Sequence, residues 1–262
     1  MNRKITLISP LFPKSLRKYV KERIRQREIK KYEGDQVFCS MCESHFSSFS
    51  PYGVEKRANA RCLNCNSLER HRLLWKYLNE KTDLNKKKGI KLLHFAPQRW
   101  YLKRFANNPD IDYTPCDINP ETYEYYGITK IKKVDVLDIP FDDNSFDVII
   151  CNHVLEHVDD DKIAMSELYR VMKKGGWGIF QVPINYDMES TYEDKTITDP
   201  KGREKAFGQY DHQRMFGRDY KERLKSAGFD VTEDDYVNQF SDEELKRYGF
   251  LKGEYIYYCR KK

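Results

Sequence analysis

The chain has 262 residues, of which 39% are hydrophobic and 34% charged, and its formal net charge is +6. With 36 aromatic side chains (19 Tyr, 14 Phe and 3 Trp) this composition excludes a disordered chain, and the length predicts two unequal folded modules. No stretch approaches the ~20 apolar residues of a membrane span. The short run Ile5 to Phe12 is broken by Pro10 and lacks a small-residue cleavage pattern, so the cytoplasm is the expected location.

Residues 1–33 carry eleven Lys and Arg against three Glu. Such a basic front end attracts phosphates or an anionic surface. Leu16, Tyr19, Val20 and Ile24 recur at helical spacing, which predicts an amphipathic helix over Ser15–Lys31 with its apolar stripe packed on the body of the protein.

Residues 34–88 form the next module. Cys39 and Cys42 bracket Ser-Met, Cys62 and Cys65 bracket Leu-Asn, and nineteen residues separate the pairs. Each C-x-x-C turn aims two thiolates at one centre, and two such turns complete the tetrahedral shell of a zinc ribbon. Four sulfurs close that shell, so the expected Zn2+ is structural. Phe46, Phe49 and Tyr52 are the apolar contacts expected around it.

A helix should follow from Ser67, with Leu68, Leu73, Leu74, Tyr77 and Leu78 on one face. Its run Glu69, Arg70, His71, Arg72 suits either an anionic ligand group or a solvated charged face. Asn79 to Gly89, rich in Lys and Asn, reads as a boundary loop.

Residues 89–262 alternate short β-rich runs with helical patterns. Strands are expected at 91–95, 111–117, 128–134, 146–152 and 177–183, the sign of a doubly wound parallel sheet that binds ligands at the carboxyl ends of its strands. Asp117 ends the second strand and can take both ribose hydroxyls of a nucleoside cofactor, or cap a helix from Pro120. Asp135 and Asp138 follow the third strand and suit either an adenine edge or a turn.

The run from Val134 to Asp160 (V-D-V-L-D-I-P-F-D-D-N-S-F-D-V-I-I-C-N-H-V-L-E-H-V-D-D), followed by Glu167 to Pro183 (E-L-Y-R-V-M-K-K-G-G-W-G-I-F-Q-V-P), resembles the class I S-adenosylmethionine-dependent methyltransferases, in particular the small-molecule superfamily. The resemblance implies a Rossmann-like α/β sheet of seven strands with S-adenosylmethionine as cofactor. Its implied contacts come from the first loop (His94, Phe95, Ala96, Pro97), from Asp117 and Ile118, from Asp135 and Val136, and from a methionine-side wall of Cys151, Asn152 and His153. The family's glycine-rich first loop is replaced here by L-L-H-F-A-P-Q-R-W, so Ala96 and Pro97 have to provide the close approach that glycine usually permits. A subgroup of zinc-ribbon-bearing bacterial methyltransferases has a similar H-F-A-P turn.

Methyl transfer from a sulfonium is an in-line displacement, and a hydroxyl acceptor also needs a base. His153 and His157 flank Glu156 at i, i+4, a spacing that also suits a metal; the resemblance instead gives this region to the cofactor pocket, with His157 a second catalytic candidate. The similarity further suggests that the loop Asp211, His212, Arg214 closes over the site, with His212 as base and Arg214 on an anionic part of the acceptor. The plainer alternative pairs Asp211 with Arg214 and leaves His212 in water. Residues 187–207 read as a polar lid or a disordered loop. Together these features point to O-methylation of a small-molecule or sugar-containing acceptor, nucleotide-linked or a polysaccharide precursor. RNA base methylation, which the basic N-terminus would assist, and a non-catalytic zinc-ribbon binding role are the alternatives.

Overall fold

The computed structural model describes residues 14–53, 56–124 and 130–262. The apolar run at 5–12 lies outside them. Along the chain come α1 (Lys14–Lys30), β1 (Val37–Phe38), β2 (His45–Phe46), β3 (Ser50–Tyr52), β4 (Arg57–Arg61), α2 (Glu69–Lys81), β5 (Ile90–Phe95), α3 (Arg99–Ala106), β6 (Ile111–Asp117), α4 (Glu121–Glu124), β7 (Lys132–Lys133), β8 (Phe146–Cys151) and α5 (Asp161–Val171). They are followed by β9 (Met172–Ile179), β10 (Tyr192–Glu193), α6 (Pro200–Phe207), β11 (Arg214–Met215), α7 (Tyr220–Ser226), β12 (Asp230–Asp234), α8 (Asp242–Tyr248) and β13 (Ile256–Arg260). Among the described residues no helix is long and apolar enough to cross a membrane.

Two compact units emerge. The first takes the chain up to Tyr77 together with Val237–Gly253, and the second takes Leu78–Tyr236 with Glu254–Lys262. Val237–Gly253, which sequence reading leaves in the 89–262 module, thus groups with the cysteines. The boundary expected over 79–89 is partly helix, because α2 runs on to Lys81.

In the first unit the two cysteine turns repeat one local geometry. Glu43 N donates to Cys39 O and Asn66 N to Cys62 O, and both Glu43 and Asn66 take left-handed φ (57° and 61°). Phe46 and Phe49 are buried as expected, but Tyr52 is 43% exposed and does not join them. The stripe of α1 also departs from expectation: Leu16, Tyr19 and Ile24 are exposed. The helix is held instead by Arg25, which donates to the carbonyls of Leu63 and Asn64 beside the second cysteine turn.

The charged run Glu69–Arg72 is neither solvated nor free for a ligand. Glu69 is buried and paired with Arg57, and His71 Nδ1 accepts from Leu68 N. Arg72 is wholly buried and donates to Tyr248 O, Ala60 O, Ser67 O and Gly249 O, with its guanidinium 3.9 Å above the Phe49 ring. Its planar fork of five donors is what allows one side chain to tie the end of α8 to β4 and to the second cysteine turn.

The second unit is a seven-stranded sheet of order β12-β13-β9-β8-β5-β6-β7. β5 pairs parallel with β6 and β8, β9 parallel with β8, and β7 parallel with β6, while β13 runs antiparallel to β9 and β12. The fold is therefore α/β and Rossmann-like, with the small cysteine module at its N-terminal side in sequence. Leu93, Phe95, Ile149, Cys151, Leu168, Phe180 and Phe216 belong to one buried apolar cluster. Strands buried on both faces lose polar alternation, which is why β5 and β8 read as continuous apolar runs.

Three expected elements shift. The strand at 128–134 reduces to Lys132–Lys133, with 128 and 129 outside the described residues. The strand at 177–183 begins five residues earlier, at Met172. The polar segment 187–207 is structured: Tyr192–Glu193 pairs antiparallel with Arg214–Met215, and α6 is capped by Asp199.

Replacing Arg72 with Met fills the space but removes four hydrogen bonds to backbone carbonyls, three of them buried. Since each hydrogen bond to a charged group contributes about 1.5–3 kcal/mol, the Arg72→Met chain should lose about 3 kcal/mol or more of stability in the first unit, read as a lower urea midpoint.

Candidate active site

Chain direction diverges at β5. From β5 the chain moves to β6 and β7 on one side, and it returns to β8 and β9 on the other. No crossover covers the carboxyl ends at that point, so a crevice forms there.

A cavity of about 450 Å³ occupies it, lined by Phe95 and Ala96 after β5, Asp117, Ile118 and Asn119 after β6, Val134–Leu137 after β7, and His153, Val154 and His157–Asp159 after β8, with Asp211 at its rim. The structure thus brings together nine of the fourteen candidate cofactor and catalytic residues: Phe95, Ala96, Asp117, Ile118, Asp135, Val136, His153, His157 and Asp211. Asn119, Val134, Leu137, Val154, Val158 and Asp159 complete the wall and escaped sequence reading as site residues; the first lies in the turn that Asp117 organises.

Backbone strain concentrates at this edge. Ala96 (φ 45°) and His153 (φ 56°) are both left-handed without being glycine, each at a cost of about 1 kcal/mol or more. Both are held by the backbone: Ala96 N donates to Cys116 O and His153 N to Gln181 O. The first turn therefore keeps a glycine-like conformation with alanine, whose methyl is the smallest side chain available there.

The carboxylates are pre-set. Asp117 accepts from Asn119 N and from Tyr123 OH, and Asp135 accepts from Leu137 N. A carboxylate offers about four acceptor positions, so each keeps capacity for ligand hydroxyls or an amino group. Burial, aided by the Asp117 charge, pushes the Tyr123 phenol well above its ordinary range, so it stays a donor to Asp117.

Five candidates, His94, Pro97, Asn152, Arg214 and His212, lie off the cavity, and Cys151 with them. His94 is buried among Tyr101, Phe105 and Tyr113, with its Nδ1 3.0 Å from Tyr113 OH. Pro97 is buried after the strained turn. The Asn152 side chain accepts from Gln181 N, and Cys151 belongs to the apolar cluster. Arg214 is 2% exposed; its guanidinium donates to Leu155 O, Val158 O and Asp159 O and pairs with Glu193. Gln213 N adds a bond to Glu156 O. These contacts staple the Asp211–Arg214 loop to the segment after β8. The alternative pairing of Asp211 with Arg214 is not found among the described residues, since Asp211 faces His157 instead, 3.5 Å from its Nδ1.

His212 stands directly behind that wall. It is 7% exposed, its ring centroid is 4.8 Å from that of His157 at 84°, and its Nδ1 lies 3.0 Å from Phe207 O. Burial lowers its pKa below the ordinary value.

Residues 98–180 match the family model described as a methyltransferase domain. The sterol 24-C-methyltransferase erg6 of Schizosaccharomyces pombe is 28% identical over 127 residues, 47% of this chain and 32% of that protein. The demethylmenaquinone methyltransferase of Staphylococcus carnosus is 42% identical over 45 residues, 17% of this chain and 19% of that one. The chain thus spans about a third or less of the length of these two curated relatives. A solved S-adenosylmethionine-dependent methyltransferase from Mesorhizobium loti aligns with a TM-score of 0.48 at 16% identity, over 72% of this chain and 98% of that one. Strand order and the crevice at the switch point define a Rossmann-like α/β unit, and residues 98–180 within it are similar to methyltransferase domains.

The buried His94 yields a pH signature. Its pKa is lowered by desolvation to about 3 from an ordinary 6.5. The unfolded chain therefore takes up that proton first, and the stability is present in full above the unfolded pKa and is lost as pH falls toward 3. Between pH 7 and pH 4 His94 should account for about 3 kcal/mol of acid destabilisation, so a His94→Phe chain should lose less stability over that interval in urea titrations than the wild type.

Proposed function

We propose that the chain is an S-adenosylmethionine-dependent methyltransferase that methylates oxygen on an uncharged, hydroxyl-bearing small molecule such as a sugar, with Zn2+ on its four cysteines as a structural ion. The observation that carries this reading is the convergence of Ala96, Asp117, Asp135 and His153 from the ends of four successive parallel strands on one cavity. In it Asp117 would hold the ribose hydroxyls, Asp135 and the apolar Ile118, Val136 and Leu137 the adenine, and the strained turns at Ala96 and His153 the amino-acid end. The cofactor supplies an electrophilic methyl group on a sulfonium.

The acceptor class is argued from charge. Among the described residues the cavity is lined by Asp117, Asp135, Asp159 and Asp211 and by no Lys or Arg, and Arg214 is committed to carbonyls and Glu193. A phosphate-bearing acceptor, whether RNA or a sugar nucleotide, finds no cation in the lining. A neutral hydroxyl finds the imidazole of His157, oriented by Asp211 and backed by His212, as the group that activates it. In this arrangement Arg214 is a positioning residue for the loop and His94 a core residue.

Calorimetry with S-adenosylmethionine tests the first claim. Micromolar binding is expected, with at least a tenfold loss in Asp117→Ala, and no binding at millimolar cofactor would sink the proposal.

For zinc, the support is a fit. The four Sγ atoms lie within 4.8 Å of one another, with Cys39–Cys65 and Cys42–Cys62 both at 3.6 Å; sulfurs about 2.3 Å from a tetrahedral ion stand about 3.8 Å apart. Stripping metal with a strong chelator should open proteolytic cuts between residues 32 and 77 while the 98–180 domain stays intact, as read by mass spectrometry of the fragments.

A further inference from the structure

Behind the cavity wall lies a second cluster of metal-type donors. Glu156, His157 and His212 place ligand atoms within 4.8 Å of one another. The staple described above brings them together: Glu156 and His157 follow β8, and His212 arrives on the loop that Gln213 and Arg214 fasten to that same segment.

Each donor is set up from behind. The His212 Nδ1 faces the Phe207 carbonyl, which can only accept, so this nitrogen carries the proton and Nε2 presents its lone pair. His157 Nδ1 faces the Asp211 carboxylate, the carboxylate–imidazole pairing that orients and enriches metal-bound histidines. Glu156 supplies an independent sign of a missing ligand. Its side chain is 1% exposed, Oε1 is 3.2 Å from His153 Nδ1, and Oε2 is buried with no hydrogen-bond partner. A buried carboxylate oxygen left unpaired is costly, and a cation removes that cost.

We propose that Glu156, His157 and His212 bind a divalent transition-metal ion of the zinc class, distinct from the ion on the four cysteines. Two imidazoles and one carboxylate are the donor set of catalytic zinc sites, which keep a coordination position open. His157 and Asp211 both line the cavity, so an ion held here stands at its wall. What the ion does there rests on the acceptor reading given above and replaces the direct role of His157: with Nδ1 on Asp211 and Nε2 on the ion, His157 is a ligand, and a hydroxyl bound to the ion would lose its proton to solvent more readily. The site itself does not depend on that reading.

Metal content decides the matter. The full chain, purified from zinc-supplemented cells without chelator, should hold two Zn2+ ions, one for each cluster, by plasma mass spectrometry. Glu156→Gln and His212→Gln should each lose one ion. After Co2+ exchange, both variants should keep the thiolate-to-cobalt charge-transfer bands of the cysteine site, which also shows that they remain folded. Should either buried substitution prevent folding, His157→Ala, at a partly exposed position, should lose the same ion. One ion in the wild type, or two in the folded variants, overturns the proposal. Because ion counting needs no cofactor, its failure leaves the methyl-transfer reading standing. Absent S-adenosylmethionine binding with two ions retained would sink that reading alone.

Discussion

Everything at the candidate site depends on the reversal of chain direction at β5. Parallel strands require crossover connections, and those connections cover the sheet everywhere except where successive crossovers leave in opposite directions. Here that place is the carboxyl edge between β5 and β8, and the cavity wall consists of whatever residues follow β5, β6, β7 and β8. Asp117 and Asp135 are useful because they end strands at that edge. Ala96 and His153 are strained because the chain must turn sharply as it leaves the sheet there.

This constraint explains which parts of the site were legible in the sequence. A strand end can be located from an apolar run, and an acidic residue just past it is then placed on the ligand edge whatever the rest of the fold does. Asp117 and Asp135 were legible for that reason, whereas Ile118 and Val136 entered only through the resemblance. The cysteine turns were legible because C-x-x-C spacing is a local geometry that needs no tertiary context.

What was not legible depends on direction more than on position. β5 is buried on both faces, so nothing in its pattern distinguishes an inward His94 from one facing a ligand. Arg214 sits in a polar loop next to a histidine and an aspartate, and only the folded chain shows that its fork reaches three carbonyls after β8. Arg72 repeats the lesson in the other unit, where a charged run on a helix proves to be the internal tie between α8 and the second cysteine turn. In both cases an arginine surrounded by backbone oxygens serves as structure, and composition alone does not separate that from anion binding.

The stapled loop has a consequence for binding energetics. A lid that closes on its ligand draws on binding free energy to order itself, at about 0.5–1.5 kcal/mol for each rotamer-rich side chain immobilised. The Asp211–Arg214 segment is ordered during folding, by Arg214 and by the β10–β11 pairing. Under the proposed function, its Asp211 carboxylate and His212 imidazole would meet an incoming acceptor already oriented, and the electrostatic field at the acceptor oxygen would need little reorganisation as charge shifts. Under that proposal the rigidity of one buried arginine would become selectivity for acceptors that fit a wall unable to adjust to them.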